Sequence, residues 1–170
     1  MAVSKEVPDG LTTAVISKII TSDGDNISHI ASVGDSRAYL FRRDTLTAIT
    51  QDDNMIPKKI AEKYENVTSA DQLNDKEQKG FLLRSIITQA VGQPEALEIR
   101  CYSVVLTVGD KLIFTTDGVS DNLTFLEVEK IAGQNGNVAT LLVENARMRS
   151  KEDHFRSKPD DISCIVIEIN

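Results

Sequence analysis

Three aspartates, Asp35, Asp117 and Asp160, occupy similar places in the sequence, each where an apolar run meets a turn. Asp35 follows residues 27–33 in Val-Gly-Asp-Ser-Arg, and Asp117 follows residues 111–115 in Thr-Thr-Asp-Gly-Val-Ser-Asp. Asp160 precedes the last apolar run in Lys-Pro-Asp-Asp-Ile-Ser. Carboxylates at neighbouring strand ends that converge on one spot repel each other, and one of their pKa values rises. A divalent cation relieves that repulsion, and an all-oxygen ligand set selects Mg²⁺, Mn²⁺ or Ca²⁺ over zinc or copper. A cation so held acidifies bound water, and two of them about 3.5–4 Å apart clamp an in-line phosphoryl displacement. Turn chemistry accounts for each Asp separately, because Asp and Gly recur in loops. Spacing alone leaves both readings open.

The elements that must position these residues are short and closely connected. Residues 1–10 read as a polar, frayed lead-in. Residues 12–20, 27–33, 38–42 and 46–50 are rich in Thr, Val, Ile and Leu and predict four strands, the first two joined by the turn cluster at 23–26. Such tight connections favour antiparallel pairing. Residues 51–80 form a polar excursion, with Pro57 opening a short helix through Tyr64. Leu83, Ile86, Ile87, Ala90 and Val91 follow helical spacing, and Gly92-Gln93-Pro94 ends that predicted helix. Residues 97–107 and 111–115 predict two more strands around the turn at Val108-Gly109-Asp110. Thr124 and Glu127 form a capping box for a helix reaching Ala132, and 138–148 carry a second amphipathic helix. The closing run at 162–169 is apolar at nearly every position and predicts a strand covered on both faces. Strands with short turns plus amphipathic helices define an α+β architecture.

Length and composition suit a single domain. A chain of 170 residues buries about 70% of its unfolded surface without staples. The net charge of −7 disfavours a phosphate backbone as partner, so no nucleic acid is expected. No apolar run is long enough to span a bilayer, so no membrane partner is expected and the simplest localisation is cytoplasmic. Cys101 and Cys164 sit in apolar stretches and read as small buried hydrophobes.

Residues 31–38, Ala-Ser-Val-Gly-Asp-Ser-Arg-Ala, resemble the central "A-N-x-G-D-S-R" motif of the metal-dependent, type-2C-like protein serine/threonine phosphatases. Five further stretches agree in order. Residues 11–15 are similar to "G-T/S-T-A", 46–53 to "L-T-x-D-H" and 87–92 to "L-T-R-A-L-G". Residues 109–121 resemble "G-D-x-L-L-L-x-S-D-G-L-x-D", and 160–166 resemble "D-N-I/M-T/S-V-I-V". The resemblance spans nearly the whole chain. It implies a layered α-β-β-α sandwich of two antiparallel sheets flanked by helices. It implies Asp117 and Asp160 as metal ligands, Asp35 as a ligand to a further metal, and Mg²⁺ or Mn²⁺ as cofactor. Gly118 would let backbone approach beside Asp117, the excursion at 51–80 would be a flap, and the substrate would be a phosphorylated protein.

The family's opening motif, "D-G-H-G-G", which carries a bridging Asp and a proposed general-acid His, has no counterpart here. His29 and His154 lack a preceding Asp-Gly. The resemblance therefore identifies no general acid and implies a domain incomplete at its N-terminus. An exposed sheet edge that permits a homodimer follows from the same incompleteness. His29 reads as a packed or edge residue and His154 as a solvated one. Arg37 could contact a phosphate or pair with Asp35, and pairing is the preferred reading. Asp121 either caps a helix or supports Asp117. Asp52 and Asp53 read as turn residues, and Asp161 as standing outside the ligand shell. Against the enzyme stands a non-catalytic regulatory or binding module of the same fold. A nucleotide-binding domain has less in its favour, since neither a Walker loop nor G-x-G-x-x-G occurs.

Overall fold

The computed structural model describes residues 10–22 and 24–170. The lead-in at 1–9 and Asp23 of the first turn lie outside that range. Among the described residues, seven strands form two antiparallel sheets. One contains β1 (Ala14–Ser22), β2 (Asp25–Val33) and β5 (Arg100–Leu106) in the order β1-β2-β5. The other contains β3 (Arg37–Arg42), β4 (Thr45–Ala48), β6 (Lys111–Thr115) and β7 (Cys164–Glu168) in the order β4-β3-β6-β7. The helices are α1 (Lys58–Glu65), α2 (Asp75–Phe81), α3 (Asp117–Ser120), α4 (Phe125–Ala132) and α5 (Val138–Arg149).

Pleating puts alternate residues of a strand on opposite faces, and the core follows that period. Leu112 and Phe114 of β6 face the other sheet, where they meet Ile30 and Leu106 beside Ala38 of their own sheet. Ile113 points the opposite way, into a layer with Val128, Ile131, Leu142 and Ala146 of α4 and α5. β6 is covered on both faces, which explains its unbroken apolar run. The capping box at α4 forms as its spacing predicts: Glu127 N donates to Thr124 Oγ1 at 3.1 Å, and Thr124 N donates to Glu127 Oε2 at 2.8 Å.

Three expectations need correction. Residues 83–91 do not form a helix. A short 3₁₀ turn at Leu82–Ser85 gives way to extended chain that bridges Asn54 through Ile87 and Thr12 through Val91. Leu83 and Ile86 are exposed and only Ala90 is buried, so no continuous apolar stripe exists to hold a helix against a core. β7 is not covered on both faces: it lies last in its sheet, and Ile165 is 63% exposed where the three-stranded sheet leaves it uncovered. Cys101 is exposed, because it lies on the outer face of β5, in register with Ala31 of β2.

The excursion at 51–80 is folded. Tyr64 of α1, Val67, Leu73 and Phe81 of α2 build a small core of their own, joined by Phe155, which stacks on Phe81 at 4.7 Å. Arg156 ties it to the main body. Its Nη1 donates to the carbonyls of Tyr64 (2.8 Å) and Val67 (3.2 Å), and its Nη2 to the carbonyl of Ser120 (2.7 Å). Arg156 is only 2% exposed, so truncating it strips a charged partner from three carbonyls that water reaches poorly. Arg156→Ala should lower unfolding stability by about 2–4 kcal/mol, read from urea denaturation. An unchanged midpoint would show that these bonds are not what holds the excursion down.

Candidate functional site

Asp35 is positioned by a crossing between sheets. β2 ends at Val33 in one sheet and β3 begins at Arg37 in the other. Gly34 adopts φ +97°, and a side chain there would overlap that of Thr13. Asp53 clamps the crossing: its Oδ2 accepts from Gly34 N at 3.1 Å, its backbone N donates to Gly34 O at 2.9 Å, and its Oδ1 takes an ion pair from Arg100 at 2.7 Å. Asp53 is therefore a buried structural carboxylate.

Asp117 is positioned by the end of β6 and the start of α3. Thr116, the residue between them, pins the segment that carries Asp160. Thr116 N donates to Ser163 O at 3.1 Å, Ser163 N donates to Thr116 Oγ1 at 3.0 Å, and Thr116 Oγ1 donates to Asp161 O at 3.3 Å. Gly118 makes that approach possible, since a Cβ on it would collide with the Asp161 carbonyl and touch Ile162. The close backbone approach expected beside Asp117 is thus present, and the neighbour is the Asp160 segment itself.

These two segments meet at Lys158, a residue that the sequence reading passed over. Its Nζ lies 2.8 Å from Asp117 Oδ2, 2.6 Å from Asp121 Oδ2 and 3.1 Å from Asp160 Oδ2. Buried Asn122 fixes the Lys158 backbone, accepting from its N at 3.0 Å and donating to its O at 2.9 Å. Burial pulls the Lys158 pKa down. Its hydrogen bonds to Asp117 and Asp121 and the charges of those carboxylates outweigh that effect and hold it above the usual lysine range. Burial likewise pushes Asp160 up, and the hydrogen bond from Lys158 leads the interactions that bring it below the usual carboxylate range. A lysine two positions before Asp160 in an acidic motif was the available clue.

Among the described residues no cation pairs with Asp35 in this way. It is buried, and its pKa is raised to about 6, first by desolvation and then by the charges of Asp117 and Asp52. Asp35, Asp117 and Asp160 are thus brought to one region: Asp117 and Asp160 share Lys158, and Asp35 lies near enough to Asp117 for their charges to repel. Asp121 joins them through Lys158 and lies 3.3 Å from Arg84 Nε. Its own carboxylate does not cap a helix start.

Arg37 does not pair with Asp35. Its Nη2 meets Asp52 Oδ2 at 2.6 Å and its Nη1 meets Glu65 Oε2 at 2.9 Å. The strand direction aims Arg37 at the excursion, where two carboxylates and the Tyr39 hydroxyl (3.3 Å) surround it. Asp52 is accordingly an ion-pair partner rather than only a turn residue. Asp35, Asp117 and Asp121 line a cleft of about 160 Å³ together with Arg37, Arg84 and Tyr64. No histidine lines it. His29 lies on the exposed face of β2, with Nδ1 2.9 Å from Ser103 Oγ, and His154 Nδ1 accepts from Arg156 N at 3.1 Å.

The donors are all carboxylate oxygens, which suits a hard divalent cation in type. In spacing they are set around an ammonium: among the described residues, no three His, Cys, Asp or Glu side chains are arranged to share one ion directly.

No family profile matches the chain. The protein phosphatase PhpP of Streptococcus pneumoniae is 28% identical over 107 residues, covering 63% of this chain and 40% of PhpP. The serine/threonine phosphatase Stp of Listeria innocua is 26% identical over 147 residues, covering 83% of this chain and 51% of Stp. The Mycobacterium tuberculosis serine/threonine phosphatase PstP/Ppp superposes with a TM-score of 0.70 at 22% identity, over 98% of this chain and 64% of that one. A putative type-2C protein phosphatase of Streptococcus pyogenes is similar at 29% identity over 103 residues, so the sequences that this chain resembles are protein phosphatases. The shared fold is their α+β sandwich of two antiparallel sheets with helices. The chain spans between about 40% and half of the length of the curated phosphatases it matches.

Two outcomes test how the phosphatase-like site is built. Because folded Asp35 holds its proton more tightly than an unfolded Asp, its contribution to stability is full below about pH 4 and is lost as the pH rises through about 6. In chelator, Asp35→Asn should therefore exceed the native chain in stability at pH 8 by about 2 kcal/mol, with the difference gone by pH 4. Equal stability at both pH values would show that Asp35 is not strained by its neighbours. Gly118→Ala should cost about 1–3 kcal/mol in thermal or urea unfolding, because the Asp160 segment must retreat. A neutral result there would refute the close approach.

Proposed function

We propose that this chain serves Mg²⁺- or Mn²⁺-dependent hydrolysis of phosphoserine and phosphothreonine in proteins. The observation that carries the reading is the gathering of Asp117, Asp121 and Asp160 within 3.1 Å of one cationic nitrogen, with Asp35 close by. Support comes from the relatives named above and from the catalytic domain of PstP, which has been solved with two manganese ions at a TM-score of 0.67 to this chain.

Asp117 and Asp160 would hold the principal cation and Asp35 would help hold a further one. A hard cation at such a site supplies Lewis acidity to a phosphoryl oxygen and lowers the pKa of bound water. The chain's own residues prepare the place. Asp35, Asp117 and Asp121 give the cleft its negative charge, so a phosphate enters only when that charge is balanced. Arg84, stacked 4.2 Å above the Phe81 ring and held by Asp121 at 3.3 Å from its Nε, keeps a guanidinium on the cleft lining. It is suited to meet a phosphoryl oxygen. The excursion at 51–80 contributes Ile56, Tyr64 and Glu65 to the lining and acts as the flap beside the substrate entrance.

A second reading, a non-catalytic regulatory or binding module, is favoured by one observation: the Lys158 ammonium already neutralises part of the cluster. A phosphothreonine peptide separates the two. The enzyme reading expects phosphate release that requires millimolar or lower Mn²⁺, stops in chelator, and falls at least about 100-fold in Asp117→Asn. Release that is equally fast in Asp117→Asn would remove the proposed site. No release by the native chain at millimolar Mn²⁺ would select the module.

A further inference from the structure

Lys158 occupies the point on which three carboxylates close. Its Nζ donates to Asp121 at 2.6 Å and Asp117 at 2.8 Å and lies 3.1 Å from Asp160. An ammonium in that position and a divalent cation on the same carboxylates repel each other, so the two occupancies exclude one another. The backbone beneath Lys158 is held on both sides. Asn122 takes its N–H and gives to its carbonyl, Pro159 follows it, and buried Arg156 lies two residues before it. The flexible four-carbon stem is what remains free to turn. Its side chain is 22% exposed and that of Asp160 is 34% exposed, so solvent reaches this end of the cluster.

We infer that Lys158 is a tethered competitor for the divalent cation: its ammonium fills the shared position in the resting chain and must swing toward solvent for an ion to bind Asp117 and Asp160. This inference rests on the phosphatase reading of those two aspartates as cation ligands. It adds an intramolecular equilibrium that sets the cation concentration at which the site loads. The tether keeps the competitor at a fixed high local concentration, so its effect does not dilute with the protein.

The test is Mn²⁺ binding without substrate, followed by calorimetry and by the paramagnetic resonance signal of free Mn²⁺, on the native chain, Lys158→Met and Lys158→Arg. Lys158→Met should bind Mn²⁺ at least about 10-fold more tightly than the native chain, because the competing cation is gone. Lys158→Arg, which keeps the charge, should stay at or above the native dissociation constant. In chelator, Lys158→Met should melt below the native chain, and saturating Mn²⁺ should restore it. Should Lys158→Met fail to fold, the double variant Lys158→Met/Asp121→Asn removes one charge of each sign and should still bind more tightly than the native chain. If the native chain binds Mn²⁺ and the Met variants bind it no more tightly, the competitor role is overturned and the phosphatase reading stands. If none of the proteins binds Mn²⁺, both are overturned.

Discussion

Negative charge concentrated at one end of a β sandwich is the constraint on which the rest of this molecule depends. Asp35, Asp52, Asp117, Asp121 and Asp160 lie at or near one cleft; burial and then the charges of Asp117, Asp52 and Asp121 raise the cost of ionising Asp35, and burial with the charges of Glu65 and Asp121 raises that of ionising Asp52. The chain meets that cost with cations from different parts of its sequence. Lys158 serves Asp117, Asp121 and Asp160; Arg37 serves Asp52. Asp35 is left over, without a cation partner among the described residues, and burial followed by the charge of Asp117 raises its pKa. The distribution of counter-ions therefore marks where the chain is balanced and where it is poised to take up positive charge.

Backbone routing delivers these groups. The crossing from β2 to β3 takes three residues and leaves Asp35 at the junction of the sheets. The turn from β6 into α3 places Asp117 first in a helix. The segment before β7 passes so close to Gly118 that only hydrogen fits between them. Asp35 and Asp117 are held at sheet ends, whereas Asp160 belongs to the irregular connection at 150–163, which Thr116 and Asn122 pin to the body by hydrogen bonds to Asp161, Ser163 and Lys158.

Local signals carried most of the fold in the sequence. β6 appears at residues 111–115 as expected, because its apolar run has a covering layer on each face. The capping box at Thr124 forms because it involves only neighbours along the chain. The acidic residues were legible for the same reason, standing where runs meet turns. What stayed hidden required knowing which backbones run side by side. Lys158 belongs to the site only because Asn122, 36 positions away, fixes its backbone. Arg37 bonds across to α1 instead of to its near neighbour Asp35. The periodicity at 83–91 pointed to a helix, but bridges to Asn54 and Thr12 satisfy that backbone in an extended form. Edge position, likewise invisible in one sequence, decided the exposure of Ile165 in β7.

The guanidinium of Arg156 joins the carbonyls of Tyr64 and Val67 to that of Ser120, the residue before Asp121. A segment moored in this way does not open like a door, because lifting it whole would leave a dehydrated cation stranded. Adjustment of the segment is confined to its solvent-facing parts, such as Met55, which is well exposed. Arg37, paired with Asp52 at 2.6 Å and Glu65 at 2.9 Å, is a second tie, so a pull on the segment is shared between two guanidinium groups rather than spread as diffuse loosening.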